Sequence, residues 1–283
     1  MPACAHVRLE PGVSEVIRSG LSAAERGAFE RDGFLVRERA FSADEIAHIA
    51  RDCETLIERV LSVSHGKKSA IGSYMFERSD QMETYLKWEL GAPDVLQGIE
   101  PFVHLSPELA SWSRDERLQV PCREICGANE LALYTEKLNL KRARDGGQYI
   151  VHQDYPYWRD ETPVAAHLAT AMLLLDDATI ENGCLEAAPG SHRESVQEMR
   201  KASGFGALEM DTDLFDLGRL QPIEAPAGSI IFFGAFLVHR SLPNRSDKDR
   251  RALLYSYQPA GNPHYLDISR KVSPAVLDPA AWT

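Results

Sequence analysis

The sequence predicts a mainly β fold with flanking helices, because the two parts of the chain carry different hydrophobic patterns. The first third has apolar residues at helical spacing behind two Ser-x-x-Glu motifs. From about residue 120 onward, short runs of branched and aromatic residues alternate with turn signals, which is typical of an antiparallel sandwich or closed barrel. Nothing marks a flexible linker, so we expect one domain over residues 1–283. Residues of about 1–118 would form a mostly helical buttress and lid, and about 120–260 the β core.

The N-terminal elements follow from capping and periodicity. The segments 22-SAAE-25 and 42-SADE-45 each have the capping-box form and open an apolar-periodic run. Between them, 33-GFLVRE-38 is predicted as a short strand. Residues 63–75 are predicted as a loop, and from about 76 to 115 we expect helices interrupted by prolines. Within that stretch, 80-DQMETYLKWEL-90 is interpreted as an amphipathic helix or a helical lid.

Seven runs in the second part of the chain are predicted as strands, each bounded by Gly, Pro or Asn-rich turns. They are 130–140, 148–154, 168–177, 183–188, 219–225, 229–241 and 252–260.

Composition excludes several classes of function. The formal net charge of −11 argues against a broad nucleic-acid or anionic-membrane surface. The five cysteines are scattered, and the CxxxC of Cys122 and Cys126 lacks a second Cys/His pair, so we expect reduced thiols rather than a zinc site. The chain shows no signal peptide and no run of 18 apolar residues, so a cytoplasmic protein is expected.

A short polar segment of the core, 151-VHQDYPYW-158, offers two metal ligands. Residues two apart on a strand share a face, so His152 and Asp154 point the same way. An ordinary strand is the alternative for such a pair alone. His239 follows the apolar run 229–238, where a buried imidazole needs a partner. The three side chains together would form a 2-His-1-carboxylate set with open positions, the arrangement of non-haem Fe(II) oxygenases.

An arginine after the third ligand indicates a co-substrate. Arg250 lies at the start of the strand that follows His239, and a turn between them would return it to the same cavity. A guanidinium pairs with a carboxylate in bidentate fashion, which suits the far carboxylate of 2-oxoglutarate. The alternatives are a solvated charge within 247-DKDRR-251 and the neighbouring Arg251, which strand alternation would send to the opposite face.

The order of 152-HQD-154, His239 and Arg250, together with 176-DDATIENGCLEAAPGSH-192, resembles the phytanoyl-CoA dioxygenase family of Fe(II)/2-oxoglutarate oxygenases. The resemblance covers about residues 25–258. It implies a double-stranded β-helix, or cupin-like jelly roll, buttressed by N-terminal helices. It further implies Fe(II) held by the His-Asp-His set, 2-oxoglutarate on Arg250 and Ser241, and O₂ as oxidant.

The same resemblance implies further site residues and a reaction. Tyr149 and Trp158 would stand near the co-substrate or substrate, with plain packing as the alternative for Trp158. Thr135, Lys137 and Asn139 share a face of the 130–140 strand and would line the cavity, unless that face is an outward, wet one. His192, in the PGSH turn, is not expected to be a ligand.

The implied reaction is hydroxylation of an unactivated C–H bond of a small natural-product or amino-acid-like molecule, with release of succinate and CO₂. No nucleic-acid or membrane partner is expected. The same cofactors would also serve epimerisation, desaturation or ring formation. From other classes, a non-redox cupin-like metalloenzyme remains open, as does a catalytically silent binding protein. A non-redox metalloenzyme would not need Arg250.

Overall fold

The computed structural model describes residues 6–7, 20–64, 66–71, 74–194, 196, 199–201, 208–211, 213 and 215–271. The helices are α1 (Ala23–Asp32), α2 (Ala43–Val63), α3 (Pro107–Trp112), α4 (Glu116–Cys126), α5 (Tyr155–Trp158) and α6 (Tyr265–Lys271). The strands are β1 (His6–Val7), β2 (Phe34–Arg37), β3 (Ser69–Ile71), β4 (Tyr74–Ser79), β5 (Thr84–Glu89), β6 (Ala92–Glu100), β7 (Leu131–Lys141), β8 (Tyr149–His152), β9 (Ala169–Leu174), β10 (Leu185–Ala187), β11 (Met199–Lys201), β12 (Leu208–Met210), β13 (Gln221–Ile223), β14 (Ile230–Gly234), β15 (His239–Ser241) and β16 (Arg250–Pro259).

Two sheets of unequal size enclose the core of a jelly roll. The major sheet has the strand order β1-β2-β14-β9-β16-β7-β6-β5-β4-β3, and the minor sheet has the order β13-β10-β15-β8. A separate hairpin pairs β11 with β12. Apolar side chains of β2, β9, β14 and β16 pack against those of β10 and β13 in one buried cluster, so the two sheets face each other. The mainly β prediction with a jelly-roll core is therefore confirmed.

Helices cover the opposite face of the major sheet. Buried side chains of α2, α3 and α4 form a second core cluster with residues of β7, β9, β14 and β16. The capping boxes predicted at Ser22 and Ser42 are both formed, and the αL residue Gly33 ends α1. The helices predicted behind these motifs and the strand between them are thus confirmed.

The prediction of helices from about residue 76 onward is wrong up to residue 100. Strands β4, β5 and β6 form an antiparallel meander that extends the major sheet, and β3 lies within the predicted loop. The reason is visible in 84-TYLKWE-89, where Thr84, Leu86 and Trp88 are buried while Tyr85 and Lys87 are half-buried on the other face. This period of two is that of a strand, so the segment 80–90 is not a helical lid. Helices resume only with α3.

The predicted strand 229–241 is two strands in different sheets. Strand β14 ends at Gly234 in the major sheet, and β15 begins at His239 in the minor sheet. Between them the chain turns, with the Leu237 N–H donating to the Gly234 carbonyl at 3.1 Å. His239 therefore opens a strand instead of ending one. The other six predicted strands are found, with ends shifted by a few residues.

Within the described ranges, no helix is both long and apolar enough to cross a membrane.

Candidate metal centre and co-substrate pocket

Two neighbouring strands of the minor sheet bring three potential metal ligands together. His152 on β8 and His239 on β15 are direct register partners, and their ring centroids are 4.2 Å apart. Asp154 follows β8 immediately and precedes α5, with its Oδ1 atom 3.6 Å from His152 Nε2. One ligand atom from each residue lies within 4.8 Å of the others. That spacing allows all three to contact a single ion.

Backbone carbonyls orient both imidazoles. Nδ1 of His152 lies 2.7 Å from the Ile150 carbonyl oxygen, and Nδ1 of His239 lies 3.0 Å from that of Leu237. A carbonyl only accepts, so each Nδ1 carries the proton and each Nε2 keeps a free lone pair. Such an outer hydrogen bond fixes the ring and its tautomer for metal binding. The sequence did not identify these partners, because they depend on how the chain bends before each strand.

Protonation states at the site also suit a cation. Burial raises the pKa of the Asp154 carboxyl. The interaction with His152 and the nearby positive charges lower this pKa by more than burial raises it, so that it is about 2. Burial, with repulsion from His152, lowers the pKa of His239 to about 4. At neutral pH the site therefore offers a carboxylate and a neutral imidazole, the forms that bind metals.

The donor set fits Fe(II). Two imidazole nitrogens and one carboxylate oxygen form the facial set of non-haem iron oxygenases and leave coordination positions open for other ligands. The ring of Phe233 stands 5.1 Å from that of His239, and Leu237 and Val238 are fully buried beside it. This apolar wall restricts water on one side of the site.

A buried guanidinium without a counter-ion among the described residues lies at the start of β16. Arg250 begins β16 and is only 2% exposed. Among the residues that the structure describes, its Nε and Nη1 atoms have no hydrogen-bond partner. A buried charge is costly unless it is paired, so the pocket calls for an anion at this point. Lys141 faces Arg250 across the strand pair, and burial together with repulsion from Arg250 lowers the Lys141 pKa to about 6.

The neighbouring Arg251 is already paired with carboxylates, those of Asp176 and Glu54. Its Nε and Nη2 atoms donate to the two carboxylate oxygens of Asp176 at 2.9 and 2.8 Å, and Nη1 donates to Glu54 at 2.9 Å. Strand alternation thus sends Arg251 toward α2 and Arg250 toward the interior. The geometry favours Arg250 as the carboxylate-binding arginine.

The remaining co-substrate candidates lie in three different settings. Ser241 is 4% exposed and follows His239 by two residues on β15, so both share the inner face of the minor sheet. The Tyr149 hydroxyl donates to the Gln97 carbonyl at 3.1 Å and joins β8 to β6. Trp158 is 5% exposed and meets Tyr134 edge-on, with the ring centroids 5.6 Å apart. It packs with Tyr134, Ala165 and Leu168, and the Lys137 ammonium lies 5.9 Å from its ring centroid.

The polar face of β7 is buried at Thr135 and half-buried at Lys137 and Asn139. Thr135 is fully buried and donates to Glu100 at 3.0 Å, and the Lys137 ammonium lies 3.4 Å from the same carboxylate. The charge of Lys137 contributes to the low pKa of Asp154, which places it near the metal ligands. Asn139 lies in register between Gly98 and Ala252. His192 instead contacts Phe29 of α1, with ring centroids 6.3 Å apart, and is not part of the cluster.

The sequence reasoning missed the contributions of β5 and β6. Lys87 and Glu100 both lie near Lys137, but their segments were interpreted as helical. The alternation in 84-TYLKWE-89 was the signal that would have identified the first of these strands.

Comparison with known proteins gives a family match over most of the chain. A sequence model described as phytanoyl-CoA dioxygenase matches residues 29–252. A phytanoyl-CoA dioxygenase domain-containing protein 1 homolog of Caenorhabditis elegans is 27% identical over 256 residues, which covers 80% of this chain and 87% of the relative. An ectoine dioxygenase of Bordetella parapertussis is 26% identical over 266 residues, with 86% of this chain and 77% of the relative covered.

A solved structure agrees with the architecture. EctD from S. alaskensis, crystallised with 2-oxoglutarate and 5-hydroxyectoine, superimposes with a TM-score of 0.67 at 23% identity. The alignment covers 91% of this chain and 83% of that protein.

Proposed function

The chain belongs to the phytanoyl-CoA dioxygenase family of Fe(II)/2-oxoglutarate-dependent oxygenases, and we propose that it hydroxylates an unactivated C–H bond of a small organic molecule with release of succinate and CO₂. It is an enzyme that uses Fe(II), 2-oxoglutarate and O₂. The observation that carries the proposal is the cluster of His152, Asp154 and His239, together with the buried guanidinium of Arg250, which has no partner for two of its nitrogens among the described residues. Relatives named ectoine dioxygenase support an amino-acid-like or natural-product substrate.

The unpaired arginine favours this reaction class over the alternatives. A hydrolytic or otherwise non-redox metalloenzyme would need the metal ligands but no buried cation that awaits a carboxylate. A silent binding protein has no reason to keep two imidazoles held in the metal-binding tautomer by Ile150 and Leu237. The unpaired arginine and the two oriented imidazoles are both explained if 2-oxoglutarate binds with one end at the metal and the other at Arg250.

Each proposed residue then has a physical task. His152, Asp154 and His239 would hold Fe(II), which when bound supplies the oxidative chemistry that O₂ and 2-oxoglutarate drive. Arg250 would pair with the far carboxylate of 2-oxoglutarate, and Ser241 on β15 of the minor sheet would support that carboxylate with its hydroxyl.

The flanking aromatics and the polar face of β7 have supporting tasks in the same proposal. Tyr149 would limit the co-substrate pocket by bridging the sheets, and Trp158 would keep β7 and α5 packed against each other. Thr135, Lys137 and Asn139 would form the wall on which the substrate rests. Together these groups would position one C–H bond and exclude water.

Succinate formation from 2-oxoglutarate tests the proposal. With Fe(II) and O₂, we expect the wild-type protein to release succinate slowly even without its substrate. Asp154→Ala should reduce this release by at least about 100-fold, because losing even an outer hydrogen-bond partner of a metal ligand costs 10–100-fold. The exposed Asp160, with its side chain 87% accessible, provides the matched control Asp160→Ala, which should behave as wild type. Iron-dependent succinate release that persists in Asp154→Ala would remove Asp154 as a ligand.

A further inference from the structure

A buried lysine of the major sheet lies between the ends of the two strands that carry the metal ligands. Lys141 ends β7 and is fully buried. Its ammonium donates to the backbone carbonyl of Gly147 at 2.7 Å, to that of Ser241 at 3.4 Å and to that of Leu242. Gly147 lies two residues before β8, whereas Ser241 and Leu242 lie at the end of β15. One side chain therefore holds the adjoining ends of β8 and β15 against the major sheet.

An ammonium matches this set of acceptors. A lysine ammonium has three N–H donors and no acceptor, so three carbonyl oxygens satisfy it. All three acceptors belong to the backbone, so the contacts fix the course of the chain and not the position of another side chain. A side chain without donors at this position would withdraw three hydrogen bonds from buried oxygens, which is costly. Lys141 therefore keeps the two strand ends in place.

Two glycines allow the chain to close around the ammonium. Gly183 ends the turn 181-ENG-183 and has a φ of +73°. A Cβ atom there would clash with the Leu242 carbonyl oxygen and stand 3.2 Å from Lys141 Nζ, so glycine lets this turn pack against the lysine and its acceptor. The Gly147 N–H donates to Glu89 at 2.7 Å while its carbonyl accepts from Lys141. The backbone around Lys141 is thus fixed on both sides of the ammonium.

The same side chain links Arg250 to Ser241. Lys141 and Arg250 are register partners on β7 and β16, so their side chains lie on the same face of the major sheet. Because the Lys141 ammonium reaches the Ser241 carbonyl, this face is the one that meets β15 of the minor sheet. The ring centroid of Tyr149, at the start of β8, lies 5.6 Å from the ammonium. Residues proposed to bind the co-substrate therefore surround the lysine.

The metal-binding histidines lie farther along the same strand pair. His239 pairs with His152, whereas Ser241 pairs with Tyr149. The ammonium contacts the backbone at the end of the pair that Ser241 occupies. Loss of these contacts should displace the Ser241 hydroxyl more than it displaces the two imidazoles.

We propose that Lys141 is a positioning residue for 2-oxoglutarate, whose ammonium holds the end of β15 so that the Ser241 hydroxyl and the Arg250 guanidinium meet at the far carboxylate. The inference rests on the proposed function, which assigns that carboxylate to Arg250 and Ser241. Lys141 acts through the backbone of β15, since carbonyl oxygens already occupy its N–H groups. The co-substrate pocket therefore depends on a lysine that need not touch the co-substrate.

A double-mutant cycle on 2-oxoglutarate affinity, measured by anaerobic calorimetry on the Fe(II)-loaded protein, tests the proposal. Lys141→Met keeps the apolar stem and removes the donors, so we expect the Kd for 2-oxoglutarate to rise about tenfold, which corresponds to 1.4 kcal/mol. Ser241→Ala should raise this Kd about fivefold in wild type, but less than about twofold in Lys141→Met, because the hydroxyl is already displaced there. Lys248→Met, at an exposed lysine between β15 and β16, should behave as wild type.

Chemical rescue tests the ammonium itself. In Lys141→Ala, n-propylammonium has the size and the N–H donors of the part of the side chain that is missing. It should lower the Kd for 2-oxoglutarate toward the wild-type value. Tetramethylammonium carries the same charge but no N–H group, so it should have no such effect.

Fe(II) affinity, measured on the same variants, distinguishes positioning from general disruption of the strand pair. We expect it to stay within about threefold of wild type in Lys141→Met. An equal loss of Fe(II) and 2-oxoglutarate affinity would overturn the proposal, as would an unchanged Kd for 2-oxoglutarate in that variant. Equal effects of Ser241→Ala in both backgrounds, or of the two ammonium ions, would also overturn it. If the wild-type iron protein does not bind 2-oxoglutarate at all, the proposed function itself fails.

Discussion

Two adjacent arginines at the start of β16 have opposite surroundings, and this contrast defines the pocket at the scale of single residues. Arg250 is buried with two unpartnered nitrogens among the described residues, while Arg251 makes three hydrogen bonds to Asp176 and Glu54. The sequence predicted that the two would face opposite ways. It favoured Arg250 as the inward one and left Arg251 as the alternative, because strand alternation alone does not say which face of β16 meets the minor sheet.

Replacement of each arginine should therefore affect different properties. Arg250→Ala should raise the dissociation constant for 2-oxoglutarate by about 10–150-fold, as expected for 1.5–3 kcal/mol from a hydrogen-bonded charged group. Arg251→Ala should leave that constant within about threefold and instead lower the free energy of unfolding, because Asp176 loses its bidentate partner.

Anaerobic titration with 2-oxoglutarate and urea unfolding of the same samples distinguish the two effects. If Arg251→Ala weakens co-substrate binding more than Arg250→Ala does, the assignment of the carboxylate-binding arginine is wrong.

The short strands β8 and β15 act as a unit at the scale of elements. Their register places His152 opposite His239, and the end of β8 delivers Asp154 to the same point. The Tyr149 hydroxyl bond to Gln97 and the Ile150 N–H bond to the Tyr74 hydroxyl join β8 to the β4–β6 meander. The meander therefore supports the edge strand that carries two of the three ligands.

An element could be predicted from the sequence when the residues that determine it lie within one segment of the chain. Helix α2 was predictable because its capping box and its apolar stripe lie within one segment. The metal ligands were predicted from the His-x-Asp spacing and the distal His239, although β8 ends at His152 and Asp154 has helical backbone angles at the start of α5, so that strand alternation is not what brings the first two together. Strand β5 of the β4–β6 meander carries a local period of two that was overlooked, whereas its pairing with β4 and β6 is not contained in any one segment. The aromatic rings around Lys87 come from two other strands, β4 and β8, so these contacts depend on the tertiary fold and not on a local pattern.

The cap of α2 contributes stability without touching the site. Ser42 Oγ accepts the Glu45 N–H at 3.3 Å, and Glu45 in turn accepts the Ser42 N–H at 2.8 Å. Ser42→Ala should lower the free energy of unfolding by about 1 kcal/mol, the usual contribution of such a cap. Binding of 2-oxoglutarate should not change, because α2 packs on the outer face of the major sheet.

Urea unfolding measures this effect, with Ser62→Ala on the exposed last turn of the same helix as the control, expected within about 0.5 kcal/mol of wild type. Equal losses in both variants would mean that the capping box does not stabilise the helix.

At the scale of the whole molecule, an acidic protein places several cationic side chains in or near its interior. The formal net charge is −11, yet Arg250, Lys141, Lys137 and Lys87 all lie between or at the margin of the two sheets. Burial of cations is unfavourable in the free protein and becomes favourable when anions enter. Among these four cations, Arg250 has two nitrogens without a partner in the described part of the chain, so it is the one that an anionic ligand would stabilise most.

The central claim is that this interior binds Fe(II) and 2-oxoglutarate together through the His-Asp-His cluster. It is tested most directly by anaerobic titration of the metal-free protein with Fe(II) and then with 2-oxoglutarate, followed by visible absorption. We expect a weak charge-transfer band when the co-substrate chelates the metal, and its loss in His239→Ala. Iron binding without the band, or no metal binding by the wild-type protein, would contradict the account.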